Sequence, residues 1–287
     1  MCTFGLKKGF TLVELSLSIA FIAILSIIIV IMITNTISSY RRGLTLNKIN
    51  STGMDLVDEI RATVQNSPSR SLVGLCSRYN DNSSSSSYYA RCVQDGGRYF
   101  VSVVKKGNVG ANVNSQVPIY GAFCTGTYSY IWNSGYYFSD EYGLSNGAVL
   151  TYSDDGDKKQ IEGFKLLKVE DGSRAICASM VNESSYSLKS TNEFDVTDKL
   201  IIVDEPIDLL KGDVENDLAI YDLESAIPAE SKSSQNLFYS VSFILGTVQG
   251  GINIKASGNF CATQGELENM DFCAINKFNF AVQATGA

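Results

Sequence analysis

Lys7-Lys8-Gly9-Phe10-Thr11-Leu12-Val13-Glu14 opens into an apolar run that lasts to Ile33. From Phe10 to Ile33 there are 24 residues, and Glu14 is the only charged one. At 1.5 Å of rise per residue, a helix of that length is about 36 Å long, enough to cross a hydrocarbon core of about 30 Å with some tilt. A carboxylate in such a segment costs on the order of 2.5–3.5 kcal/mol even on the lenient insertion scale, so Glu14 is expected to have a functional role. A secretory signal peptide fits poorly. Its apolar region runs about 7–15 residues and ends in small residues, whereas this one ends in Met32-Ile33-Thr34-Asn35. A plain signal anchor accounts for the length and leaves Glu14 incidental.

The order Gly9-Phe10-Thr11-Leu12-Val13-Glu14, behind Lys7-Lys8, resembles the processing site of type IV prepilins and type II secretion pseudopilins. The resemblance covers the leader and the apolar run only. It implies that a membrane-embedded peptidase cuts between Gly9 and Phe10 and methylates the new amine of Phe10. It also implies that Glu14, fifth in the mature chain, neutralises the N-terminus of an adjacent subunit during assembly. The physics agrees with that role. Cleavage creates a cationic amine four residues before Glu14, and residues i and i+4 share a helix face. The positive end of the helix dipole favours a carboxylate there as well.

The chain has 287 residues, room for one large or two small domains outside the membrane. Charged residues make up 18%, below the usual quarter or so. The net charge is −7, and loss of Lys7 and Lys8 lowers 23 basic side chains to 21 against 30 acidic ones. An acidic exterior argues against nucleic acid as the main ligand.

There are seven Cys and no His. Cys2 lies in the leader. The other six, Cys76, Cys92, Cys124, Cys177, Cys261 and Cys273, read as three disulfides in an oxidising compartment, with buried free thiols as the alternative. Six Cys allow 15 connectivities. Nearness in sequence favours Cys261–Cys273, then Cys76–Cys92, which leaves Cys124–Cys177. No Cys-x-x-Cys pair and no His point to zinc. The positive-inside rule is nearly silent, because Lys7-Lys8 face Arg41-Arg42 and Lys48 across the apolar run. The cysteines favour an outside location for the C-terminal bulk, and the resemblance implies the same.

No Pro appears before Pro68, and apolar residues recur at Leu46, Ile49, Met54, Leu56, Val57, Ile60 and Val64. That spacing predicts a one-faced helix. A single helix from Phe10 to Asn66 would be 57 residues long, or roughly 85 Å. Gly43 and Gly53 are expected to weaken it by about 1 kcal/mol each and to mark bends. The expected organisation is a leader over 1–9, a transmembrane segment over 10–33 and an amphipathic second half of the helix over 34–66. An extracytoplasmic β-rich head would fill 67–287.

Residues 67–98 look loop-like, with Ser83–Ser87 as a low-complexity run between Cys76 and Cys92. Strands are expected over Tyr99–Val104, Val117–Phe123, Tyr128–Trp132, Ala148–Tyr152, Gly163–Val169, Ala175–Val181 and Leu200–Val203. Leu237–Leu245 and Gly251–Ala256 read as a strand pair, and residues 204–236 as connecting structure. Phe278, Phe280 and Val282 alternate on one face of a last strand over Lys277–Gln283. Asp154-Asp155-Gly156-Asp157 lacks the order of a calcium loop and reads as an acidic turn.

No catalytic constellation is present. Without His there is no Ser-His-Asp or Cys-His arrangement, and no P-loop or paired metal motif occurs, so no enzyme, cofactor or metal is expected. The expected fold is α+β, with the long N-terminal helix packed on a mainly antiparallel head, as the resemblance to pilins implies. The expected function is a structural subunit, a minor pilin or pseudopilin of a type IV pilus or related filament, its head serving adhesion. The implied partners are other pilin subunits, the prepilin peptidase, the inner-membrane assembly platform and membrane lipid before assembly. The competing reading is a surface adhesin or binding module on a pilin-type anchor.

Overall fold

The structure is a computed structural model. It describes residues 11–67, 88–95, 98–106, 116–138, 147–173, 175–182, 187–188, 193–200, 202, 204–212, 217–226, 238–248, 254–255, 260–261 and 274–283. Helix α1 (Leu12–Gln65) is continuous. The head then runs β1 (Tyr88–Asp95), β2 (Arg98–Lys106), β3 (Gln116–Cys124), β4 (Tyr128–Asn133), β5 (Val149–Asp154), β6 (Asp157–Ile161) and β7 (Leu166–Glu170). The short helix α2 (Ala175–Met180) follows, then β8 (Val181–Asn182), β9 (Ser187–Leu188), β10 (Glu193–Asp195) and β11 (Ile207–Asp208). Last come β12 (Leu218–Ala226), β13 (Phe238–Thr247), β14 (Ile254–Lys255), β15 (Phe260–Cys261) and β16 (Ile275–Gln283).

The largest sheet is antiparallel, in the order β1-β2-β3-β4-β7-β11. A second antiparallel sheet has the order β12-β13-β16, and a third, β10-β5-β6, carries the parallel pair β10–β5. The layout is α+β.

Alternation along the strands sorts the core into two layers. Tyr130 and Trp132 of β4 join Phe123 and Leu166 on the side of α1. Ile131, Ala122, Cys124, Leu167 and Val169 face the other way, towards α2 and β5. The second half of α1 closes the first layer with Ile49, Leu56, Val57, Ile60 and Val64. The β12-β13-β16 sheet covers the same stripe with Leu223, Val241, Phe243, Phe278, Phe280 and Val282. The expected alternation of β16 is what brings its two phenylalanines and Val282 inward. Met54, expected on the stripe, is exposed, because it lies about 140° around the helix from Ile49. Leu46 is exposed too, next to the point where the head begins to cover the helix.

Gly53 has a packing role instead of marking a bend. A Cβ there would lie 2.1 Å from Cζ of Phe278, so the ring rests on the helix backbone. At Gly43 a Cβ would meet nothing within 4 Å. Gly53→Ala is therefore expected to cost about 1–3 kcal/mol through overpacking, although alanine is the better helix former. Gly43→Ala should leave stability unchanged or raise it by up to about 1 kcal/mol. Urea unfolding in detergent measures both, and equal effects at the two sites would contradict the ring's placement.

Several sequence expectations need correction. Ala175–Met180 is helical, not a strand, because the Asp171 carboxylate accepts from the Ala175 and Ile176 amides and starts a turn there. Residues 204–236 contain β11 and the nine-residue β12. A register shift between Ile220 and Asp222 breaks the alternation of β12, which hides it among acidic residues. β13 pairs with β12 and β16, whereas Ile254–Lys255 pairs with Phe260–Cys261, so the expected strand pair does not form. β1 occupies part of the expected loop over 67–98. Leu200 and Ile202 are not in a strand, and Ile201 and Val203 lie outside the described residues. The acidic turn links β5 to β6, with Asp155 and Gly156 at φ of 51° and 88°. Two positive φ values suit a two-residue hairpin, and Lys159 occupies the Asp154 carboxylate.

Candidate functional site

The first half of α1 stands clear of the head. Leu12, Leu17, Phe21, Ile28 and Ile33 are exposed, and the large apolar side chains remain so through Leu44. Burial begins at Thr45 and Ile49. An apolar rod of this length exposed to water would be unfavourable at roughly 25 cal/mol per Å², and it is long and apolar enough to cross a membrane. Several hydroxyls in it are satisfied within the helix. Ser18 donates to the Glu14 carbonyl at 2.8 Å, Ser26 to Ile22 at 2.8 Å and Thr36 to Met32 at 2.8 Å. Such internal bonds remove the cost of hydroxyls in hydrocarbon.

Glu14 has a local task that the sequence expectations did not include. Thr11 is the N-cap of α1, and its hydroxyl accepts from the Glu14 amide. Glu14 Oε2 in turn accepts from the Thr11 amide at 2.9 Å and from its hydroxyl at 2.8 Å. This is a reciprocal capping box, and the Thr-x-x-Glu spacing before an apolar run is its sequence signal. Gly9 and Phe10, the expected cleavage pair, lie outside the described residues.

Where α1 meets the head, a polar seam fixes its register. The Tyr130 hydroxyl donates to Thr63 Oγ1 at 2.7 Å and approaches Glu59 at 3.3 Å. Lys168 Nζ lies 2.6 Å from Glu59 and 4.1 Å from the centre of the Tyr128 ring. Burial pushes the Tyr130 hydroxyl well above its usual range, so it stays a donor at neutral pH. Ser67 and Thr127 hydroxyls approach at 3.4 Å further along. On the opposite flank Asn276 donates to Asn50 at 2.7 Å, and Arg61 sits 5.6 Å from the centre of the Phe280 ring. The seam and the Gly53–Phe278 contact hold the two parts of the chain together without using any of the apolar rod. Beside the seam, a cleft of about 360 Å³ is lined by Lys48, Asp55, Glu59, Leu210 and Lys211.

Behind the large sheet, Cys124 and Cys177 form a disulfide with Cα atoms 6.3 Å apart, tying β3 to α2. Cys76 and Cys273 lie outside the described residues, as do the side chains of Cys92 and Cys261, so the expected pairs Cys76–Cys92 and Cys261–Cys273 fall there. Among the described residues no group of three or more metal-ligating side chains is gathered.

Fold and surface together define one class: among the described residues, one N-terminal helix apolar enough to cross a membrane, joined to an α+β head. No protein-family model, curated protein or solved structure matches the chain.

Proposed function

We propose that this chain is a pilin-like structural subunit, a minor pilin or pseudopilin, made as a prepilin and assembled through its N-terminal helix. The observation that carries the reading is the division of α1: an uncovered apolar rod up to Leu44 and a half packed into the head from Thr45 onward. The Gly9-Phe10-Thr11-Leu12-Val13-Glu14 order supports it independently. The rod spans the bilayer until assembly and then packs against rods of other subunits, while the head faces outward and contacts other surfaces. Cleavage after Gly9 places the Phe10 amine one turn from Glu14, beside the Thr11 cap.

Glu14→Val tests the assembly step. Removing a carboxylate from an apolar segment should not hinder insertion, and the peptidase reads the sequence around Gly9. The variant is therefore expected to reach the membrane and be cleaved like the parent chain, yet to be lost from sheared filaments at least tenfold. The helix end also loses its capping box, worth about 1 kcal/mol. Glu14→Gln separates the two roles, because it keeps the capping geometry and removes the charge. Normal filament incorporation of both variants would remove Glu14 from the assembly mechanism, and failure of Glu14→Val to insert would contradict the membrane reading.

A further inference from the structure

Two adjacent cations stand alone on α1. Once Lys7 and Lys8 leave with the leader, no basic residue precedes Arg41 and Arg42, and no acidic residue lies between Glu14 and Asp55. Both arginines are exposed, and among the described residues no ion pair engages them. Asp55 is 13 residues beyond Arg42, about 20 Å along the axis and more than two Debye lengths away at physiological salt. Their own helix therefore supplies no counter-charge. Tyr40 beside them is 67% exposed, and burial by the head begins only at Thr45.

Their height along the helix is that of a membrane surface. A hydrocarbon core of about 30 Å takes about 20 helical residues, so a core that begins just past Glu14 ends near Thr34. The headgroup layer adds about 6 Å, or roughly four residues, and ends near Ser38. Arg41 starts about 5 Å beyond that level. Helical side chains lean toward the N-terminus, which here is the membrane side. Ile37, one turn closer to the membrane on the face of Arg41, is exposed and gives the arginine stem an apolar path to follow. Long basic side chains past the end of a span reach the phosphates in this way, and Tyr is favoured at the same depth.

We propose that Tyr40, Arg41 and Arg42 form a collar that binds anionic phospholipid headgroups in the leaflet nearest the head, the two arginines engaging the phosphates. This rests on the reading of the apolar rod as a membrane span and deepens it. The planar fork of a guanidinium matches two phosphate oxygens and gives up its water more readily than an ammonium does. A net anionic headgroup is preferred over a zwitterionic one, because the cation of the latter offsets the attraction of the arginines. Lys48 lies about 9 Å further along the axis and lines the cleft with Lys211, outside the collar. Assembly takes the rod out of lipid, so these contacts break at that step, and the collar favours retention in the bilayer until then.

The test is native mass spectrometry of the whole chain, as recovered from membranes, after transfer into nanodiscs of equal phosphatidylglycerol and phosphatidylcholine. Both lipids carry the phosphate, and only phosphatidylglycerol carries a net charge. Phosphatidylglycerol retained on the released protein is expected to exceed phosphatidylcholine about fivefold or more. Arg41→Gln with Arg42→Gln should bring the ratio close to one. Arg41→Lys with Arg42→Lys should keep part of the preference, since the charge stays and the fork is lost. Lys48→Gln should leave it unchanged. Equal retention of the two lipids by the parent chain, a preference that survives the double Gln change, or an equal loss in Lys48→Gln overturns the collar while leaving the membrane reading intact. A chain that does not enter the nanodiscs overturns both.

Discussion

Replacing Cys124 and Cys177 together by Ala is expected to lower the unfolding free energy of the head by about 4 kcal/mol. The bond joins residues 53 apart in sequence. Closing a loop of that size removes conformational freedom from the unfolded chain, and chain-entropy reckoning gives that magnitude. The native state loses little else, since both side chains are small and sit in an apolar layer with Ala122, Ala175 and Ile176. Urea unfolding of the two forms, followed by the fluorescence of buried Trp132, measures the difference. A change under about 1 kcal/mol would mean that the bond restrains nothing the unfolded chain would otherwise explore.

Asp171→Ala should cost about 3 kcal/mol, for a different reason. Asp171 is fully buried, and its carboxylate accepts four hydrogen bonds. Ser129 of β4 donates at 2.8 Å, Ser173 at 3.1 Å, and the amides of Ala175 and Ile176 at 2.8 and 3.0 Å. Each buried donor left without a partner costs about 1–3 kcal/mol before relaxation. A six-residue helix has no stability of its own, so α2 depends on this carboxylate at one end and on Cys177 within. Asp171→Asn, which keeps two acceptor lone pairs, should cost clearly less. Combining Asp171→Ala with the loss of the disulfide should cost less than the two separate effects added, because both hold the same element.

The long helix was legible in the sequence because its signals are dense: an unbroken apolar run, no proline and a one-faced repeat from Ile49 to Val64. β16 was legible through its strict alternation, and β3 and β4 through their aromatic and β-branched content. The losses have specific causes. β12 has a bulge that interrupts its period, and its Asp222 and Glu224 resemble a loop. The apolar string Ala175-Ile176-Cys177-Ala178 suits a strand or a helix, and the choice falls to Asp171, four residues upstream. The sites divide in the same way. Glu14 stood out because a charge in hydrocarbon is costly, but its capping partner Thr11 went unread. Nothing in the sequence around Glu59 sets it apart. Only folding shows that it joins Lys168 and Tyr130, more than seventy residues away in the chain. The packing role of Gly53 is hidden in the sequence because its neighbour Phe278 comes from the far end of the chain.

The central claim is that the leader is removed at Gly9 and that the chain then enters a filament through its exposed helix. The mass and N-terminal sequence of the protein recovered from membranes and sheared filaments test this most directly. The predicted chain begins at Phe10 and carries a methyl group on that amine. A chain that still begins at Met1, or one that begins beyond residue 34 with the whole apolar run removed, would contradict it.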